Sequence, residues 1–122
     1  MRYAWIAAGG ALGAVARWAL GSWLLAAAGD GFPYGTLFAN MAGAYALGWM
    51  SGRFDAKIKS AAAYQGAAAG FLGAFTTMSA FGLEAWALLS DGRAAAAAAY
   101  IAATACAGPL LANAGIRAGA AT

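Results

Sequence analysis

Histidine is absent from this 122-residue chain, and there is a single cysteine, Cys106. A disulfide framework is therefore excluded, and a cysteine–histidine metal centre lacks ligands. Cys106 reads as a small apolar packing residue. Charge is nearly as scarce. Asp, Glu, Lys and Arg together make up 9% of residues, whereas a soluble domain carries roughly 25%. Such a chain cannot keep a soluble surface wet. The net charge of +3 is small and comes from loops and ends, so it carries no nucleic-acid footprint. The sequence offers no nucleophile, no catalytic pair of carboxylates and no nucleotide-binding loop. It points away from catalysis.

What the chain has instead is apolar length. Hydrophobic residues make up 64% of it, and a membrane-crossing helix needs about 20 mostly apolar residues. Four runs qualify, at about residues 3–28, 34–52, 60–89 and 94–116. The breaks between them are short and carry Gly29, Asp30, Gly31 and Pro33, then Arg53 to Lys59, then Asp91 and Gly92, all turn or charge signals. The pattern predicts an all-α membrane protein, one domain over residues 1–122, with four transmembrane helices packed as antiparallel neighbours. The first run also has features of a leader peptide: Arg2, an apolar stretch and three alanines at 26–28. Arg17 in its middle and three later spans weigh against that.

With both ends on the cytoplasmic side, that side holds Arg2, Arg53, Lys57, Lys59 and Arg117, and the other holds only Arg93. The positive-inside rule favours this orientation. Small residues four apart recur within the spans, as in Gly9/Gly13, Gly48/Gly52 and Gly66/Gly70. That spacing lets helix backbones approach closely in lipid, as ordinary packing of a compact bundle requires.

Packing does not account for the polar residues inside the apolar runs: Arg17, Asn40, Thr76, Thr77, Ser79, Glu84, Tyr100 and Thr104. Polar groups at membrane depth are costly unless they meet a partner or a wet path. Serine and threonine can bond their own helix, so each alone is weak evidence. Asn40 and Arg17 cannot be dismissed that way. Residues 70–81 mix glycine, threonine and phenylalanine in mid-span. These include poor helix formers, so the third helix is expected to break there. A break exposes carbonyls that suit a hard cation such as Na+ and N–H groups that suit an anion. Tyr100, Thr104 and Gly108 are four apart on the fourth helix and form one stripe. Tyr100 fits equally well as an interfacial anchor.

At this point a resemblance is visible. GGALGAVARW (residues 9–18), GTLFANMAGAYALG (35–48) and GFLGAFTTMSAFGLE (70–84) resemble the signature stretches of the Fluc/CrcB fluoride channels. The resemblance runs through all four spans in order. It implies a four-helix protomer with a broken third helix, assembled with an inverted partner into an antiparallel, dual-topology dimer. It further implies two narrow fluoride pathways and a structural Na+ at the dimer centre, held by backbone carbonyls matching Gly73 and Thr76. By the same resemblance Asn40, Met78, Ser79, Phe81, Tyr100 and Thr104 belong to the ion path, with Arg17, Thr77 and Glu84 at its entrance or in support. Transport would be passive export of cytoplasmic fluoride. The chemistry of these residues agrees, because a bare anion in low dielectric must have its water replaced by donors. Asn40 offers an amide N–H, and Ser79, Thr104 and Tyr100 offer hydroxyls. Phe81 offers a positive ring edge.

The sequence departs from the family pattern at Met78, where a pore phenylalanine is usual. It departs again at Ala80 and Gly108, which lack a hydroxyl. Together with the lopsided charge, these changes raise the alternative that the chain pairs with a related, oppositely oriented chain as one subunit of a heterodimer. A small proton-coupled exporter of the small multidrug resistance type has similar length and topology, but it needs a glutamate in the first helix, where this chain has Arg17. A structural subunit with no pathway is the third reading, and the polar residues in the spans speak against it.

Overall fold

The computed structural model describes residues 1–122 and is helical almost throughout. Helix α1 spans Arg2–Ala28 and α2 spans Tyr34–Arg53. A single turn, α3 (Ala56–Lys59), leads into α4 (Ala62–Gln65). A π-helical stretch, Gly66–Leu72, follows, and then α5 (Gly73–Phe75). After an interruption at Thr76 and Thr77, α6 runs over Met78–Ser90, and α7 over Ala94–Ala120 closes the chain. Three helical spans are long and apolar enough to cross a membrane: Arg2–Ala28, Ala62–Ser90 and Ala94–Ala120. Helix α2 has 20 residues, a sufficient length. It is less apolar because Thr36, Asn40, Ser51 and Arg53 interrupt it.

Where a single run over 60–89 was expected, the chain is divided into α4, the π-helical stretch, α5 and α6, and α7 runs four residues beyond the expected end at 116, to Ala120. The tight connections use glycine where the backbone turns left-handed, at Gly29 (φ 78°) and Gly92 (φ 74°). These are conformations a side chain disfavours.

Two seams hold the bundle together, and both are lined with glycine. Along α2 and α7, a Cβ at Gly48 would overlap the Ala112 carbonyl, and one at Gly52 the Ile116 carbonyl. Gly115 and Gly119 meet the Tyr45 and Trp49 carbonyls in return. Residues rise together along this seam, so α2 and α7 run parallel. Between α1 and the π-helical stretch, Gly9 lies against Gly66 and Gly13 against Phe71. On the facing side, a Cβ on Gly70 would come within 2.5 Å of the Ile6 carbonyl oxygen. The small-residue pairs read from sequence thus mark real helix contacts. With side chains so small, the helices pack backbone to backbone, which strengthens dispersion contacts where lipid removes the hydrophobic drive between helices.

Little of the chain is enclosed. Only 13 of 122 residues are buried, as expected when large apolar groups face lipid or a partner. The one sizeable enclosed cluster joins Ala85 and Leu88 of α6 to Ala97 and Tyr100 of α7, with Phe32, Leu37 and Phe81 packed on it.

Candidate functional site: the helix break and its groove

The break is built by two threonines in extended backbone. Thr76 has φ −86° and ψ 157°, and Thr77 has φ −153° and ψ 124°. Leu72 accepts from both the Thr76 N–H (3.0 Å) and the Thr76 hydroxyl (2.9 Å), which seals the end of α5. The Thr77 hydroxyl caps the next helix by accepting from the Ala80 N–H at 3.2 Å, the usual job of threonine before a first turn.

Asn40 clamps the break from α2. Its Nδ2 donates to the Thr77 carbonyl (3.0 Å) and its Oδ1 accepts from the Thr77 N–H (2.7 Å). An asparagine side chain can pair with a peptide this way because both are planar amides. One N–H of the Asn40 amide remains outside the clamp. Arg17 reaches the same break from α1, where its Nε donates to the Ala74 carbonyl at 3.0 Å. The half-buried guanidinium, which the resemblance implied at the pore entrance or in support, grips a carbonyl of α5.

These clamps leave specific backbone groups free. The carbonyls of Gly73 and Thr76 accept no hydrogen bond within the chain, and the N–H groups of Met78 and Ser79 donate none. The break therefore presents bare carbonyls from one helix end and bare N–H groups from the start of the next.

A groove of about 340 Å3 runs past this break. Asn40, Gly73, Thr76, Thr77, Met78 and Thr104 all line it, so six of the residues picked from sequence come together. The Thr104 hydroxyl is fully enclosed and has no hydrogen-bond partner. Met78 is 74% exposed beside the groove. Ser79 lies on the exposed face of α6, its hydroxyl 3.2 Å from that of Thr77.

Tyr100 and Phe81 do not line this groove. Tyr100 is 0% exposed, and its hydroxyl donates to Glu84 Oε2 at 2.7 Å. The Thr36 hydroxyl donates to Glu84 Oε1 at 2.8 Å. Phe81 packs its ring on Tyr100, with centroids 5.0 Å apart. The expected stripe of Tyr100, Thr104 and Gly108 is thus divided, with Thr104 and Gly108 at the groove and Tyr100 in a separate centre around Glu84. That centre forms one wall of a second cavity, lined also by Asp30, Asp91 and Arg93 near the opposite end of the bundle. Thr36 was not singled out from sequence, because an isolated threonine near a helix start carries no signal of a carboxylate 48 positions away.

The family model for CrcB-like protein, Camphor Resistance (CrcB), matches residues 4–116. This chain belongs to the CrcB family. A protein named fluoride-specific ion channel FluC from Rhizobium meliloti (strain 1021) is 41% identical over 100 residues, which is 81% of this chain and 80% of that protein. A protein of the same name from Anaeromyxobacter sp. (strain K) is 45% identical over 100 residues, 79% of this chain and 77% of that one. Another, from Acidobacterium capsulatum, is 42% identical over 85 residues, 69% and 68% of the two chains. With its three long apolar helical spans, this CrcB-family chain is a multi-pass membrane protein.

Proposed function

We propose that the chain is a fluoride channel protomer that crosses the membrane four times, α2 included, and lets cytoplasmic fluoride leave down its gradient. The Thr104 hydroxyl carries the reading. It is enclosed and without a partner, and Thr104 is one of the residues that line the same groove as Asn40. An unpaired buried polar group costs about 1–3 kcal/mol, so its persistence calls for a ligand. A small anion is the natural one, since a hydroxyl, a spare amide N–H and two free backbone N–H groups are all donors. Ser79, Phe81 and Tyr100 extend the path beyond the groove in this reading, and Glu84 orients Tyr100.

The protomer pairs with an inverted copy. The free carbonyls of Gly73 and Thr76 fit a hard cation, which prefers several oxygen ligands. One protomer supplies two, so Na+ held there would draw on both protomers. When bound, the ion supplies fixed positive charge that lowers the cost of an anion nearby. In this reading the partner covers Met78 and the exposed face of α6. The uneven charge supports a second reading, in which the partner is a related chain that inserts the other way. Reconstituting the purified chain alone into fluoride-loaded vesicles separates the two. Strong fluoride efflux sinks the heterodimer, and efflux only after a second, oppositely inserting chain is added sinks the homodimer.

A further inference from the structure

The bundle end opposite the Glu84 cavity gathers five cations: Arg2 at the start of α1, Arg53 at the end of α2, Lys57 and Lys59 on α3, and Arg117 in the last turn of α7. The acid among them is Asp55, and its carboxylate is committed to the Ile58 N–H at 2.9 Å. Arg2 donates to the Ser60 carbonyl and Arg117 to Asn113, so neither spends its charge on a carboxylate. At the other end Arg93 stands with Asp30 and Asp91. The positive field of the protomer is therefore confined to one of its ends.

This end is also constructed to hold its shape. Helix α3 is a single turn, too short to persist alone, yet side chains fasten both its ends. Asp55 caps the first turn, the Ser60 hydroxyl donates to the Lys57 carbonyl at 2.7 Å, and Gln65 donates to the Lys59 carbonyl at 2.7 Å. The backbone of both lysines is thereby fixed, while their ammonium groups bond nothing in the chain. Beside them Phe54 stands edge-on between Trp49 and Tyr64, each ring centroid 6.0 Å away. Tyr3 is 84% and Ile58 45% exposed on the same end. Cations above aromatic and apolar side chains make a headgroup-level surface.

We propose that this platform binds the phosphate headgroups of anionic phospholipids in the leaflet it faces. Lysine and arginine supply the donors, and the ring ladder with Ile58 sits at the glycerol level. The inference does not depend on which ion the groove passes. Native mass spectrometry of the purified protein, titrated with phosphatidylglycerol or phosphatidylcholine of matched chains, tests it. Phosphatidylglycerol should stay bound where phosphatidylcholine is lost. Each neutralised cation should weaken retention about fivefold, so combining Arg53→Gln, Lys57→Gln and Lys59→Gln should weaken it on the order of 100-fold. Arg93→Gln should change nothing. Equal retention of the two lipids by the unmodified protein overturns the proposal, whatever the variants do. So does a folded triple variant that keeps phosphatidylglycerol, or an Arg93→Gln variant that loses it.

Discussion

Asn40 and Thr104 border one groove in opposite circumstances. Asn40 spends its oxygen and one N–H on the Thr77 peptide, so it is structural first. Asn40→Asp keeps the acceptor and loses the donor, leaving the Thr77 carbonyl opposite a carboxylate. Its unfolding midpoint in detergent should fall, by about 1–3 kcal/mol of stability, and fluoride flux should fall at least tenfold as the new charge repels the anion, an effect amplified in low dielectric. Thr104 spends nothing on the fold. Thr104→Val keeps the shape and removes the unpaired hydroxyl, so the midpoint should hold or rise while flux drops. A fall in both would make Thr104 a structural residue. Tyr100→Phe tests the other centre. It deprives a carboxylate of one of its two donors, and hydrogen bonds to charged groups contribute about 1.5–3 kcal/mol, so loss of stability should accompany any loss of flux.

Among the elements, three long apolar spans were legible in composition and length alone; α2 forms a helix of the expected length but is less apolar than the other three. The break was legible too, because glycines and threonines in mid-span resist helix, and it falls at Thr76–Thr77 inside the expected window. The π-helical stretch was not legible. Gly66–Leu72 carries no local mark of a widened turn, and what distinguishes it is the close approach of Gly66 and Gly70 to α1. The pairing of Tyr100 with Glu84 was hidden for a similar reason, since helical periodicity puts Tyr100 in line with Thr104 but cannot say which neighbour each hydroxyl meets. The glycine seams give a sharp contrast. A methyl at Gly48 meets the Ala112 backbone, whereas one at Gly21 meets nothing within 4 Å. Gly48→Ala should therefore destabilise by about 1–3 kcal/mol, the usual cost of overpacking, and Gly21→Ala should hold or raise the detergent unfolding midpoint, since alanine is the better helix former.

For the whole molecule, charge sets the orientation. Five cations at one end and Arg93 at the other favour insertion with both termini in the cytoplasm. An antiparallel pair of identical chains needs copies inserted both ways. Replacing Arg53, Lys57 and Lys59 with glutamine should raise the inverted fraction, read by a C-terminal reporter that responds only on one side of the membrane. The break joins this scale to the smallest one: Asn40 and Arg17 hold Thr77 and Ala74, while the Gly73 and Thr76 carbonyls and the first N–H groups of α6 stay unbonded within the chain. That the groove serves fluoride is tested most directly by ion-selective electrodes on vesicles holding the purified chain and loaded with fluoride and chloride together. Fluoride should leave while chloride stays, and Asn40→Asp should slow the fluoride. Chloride leaving as fast as fluoride, or a fluoride flux that Asn40→Asp does not touch, would contradict it.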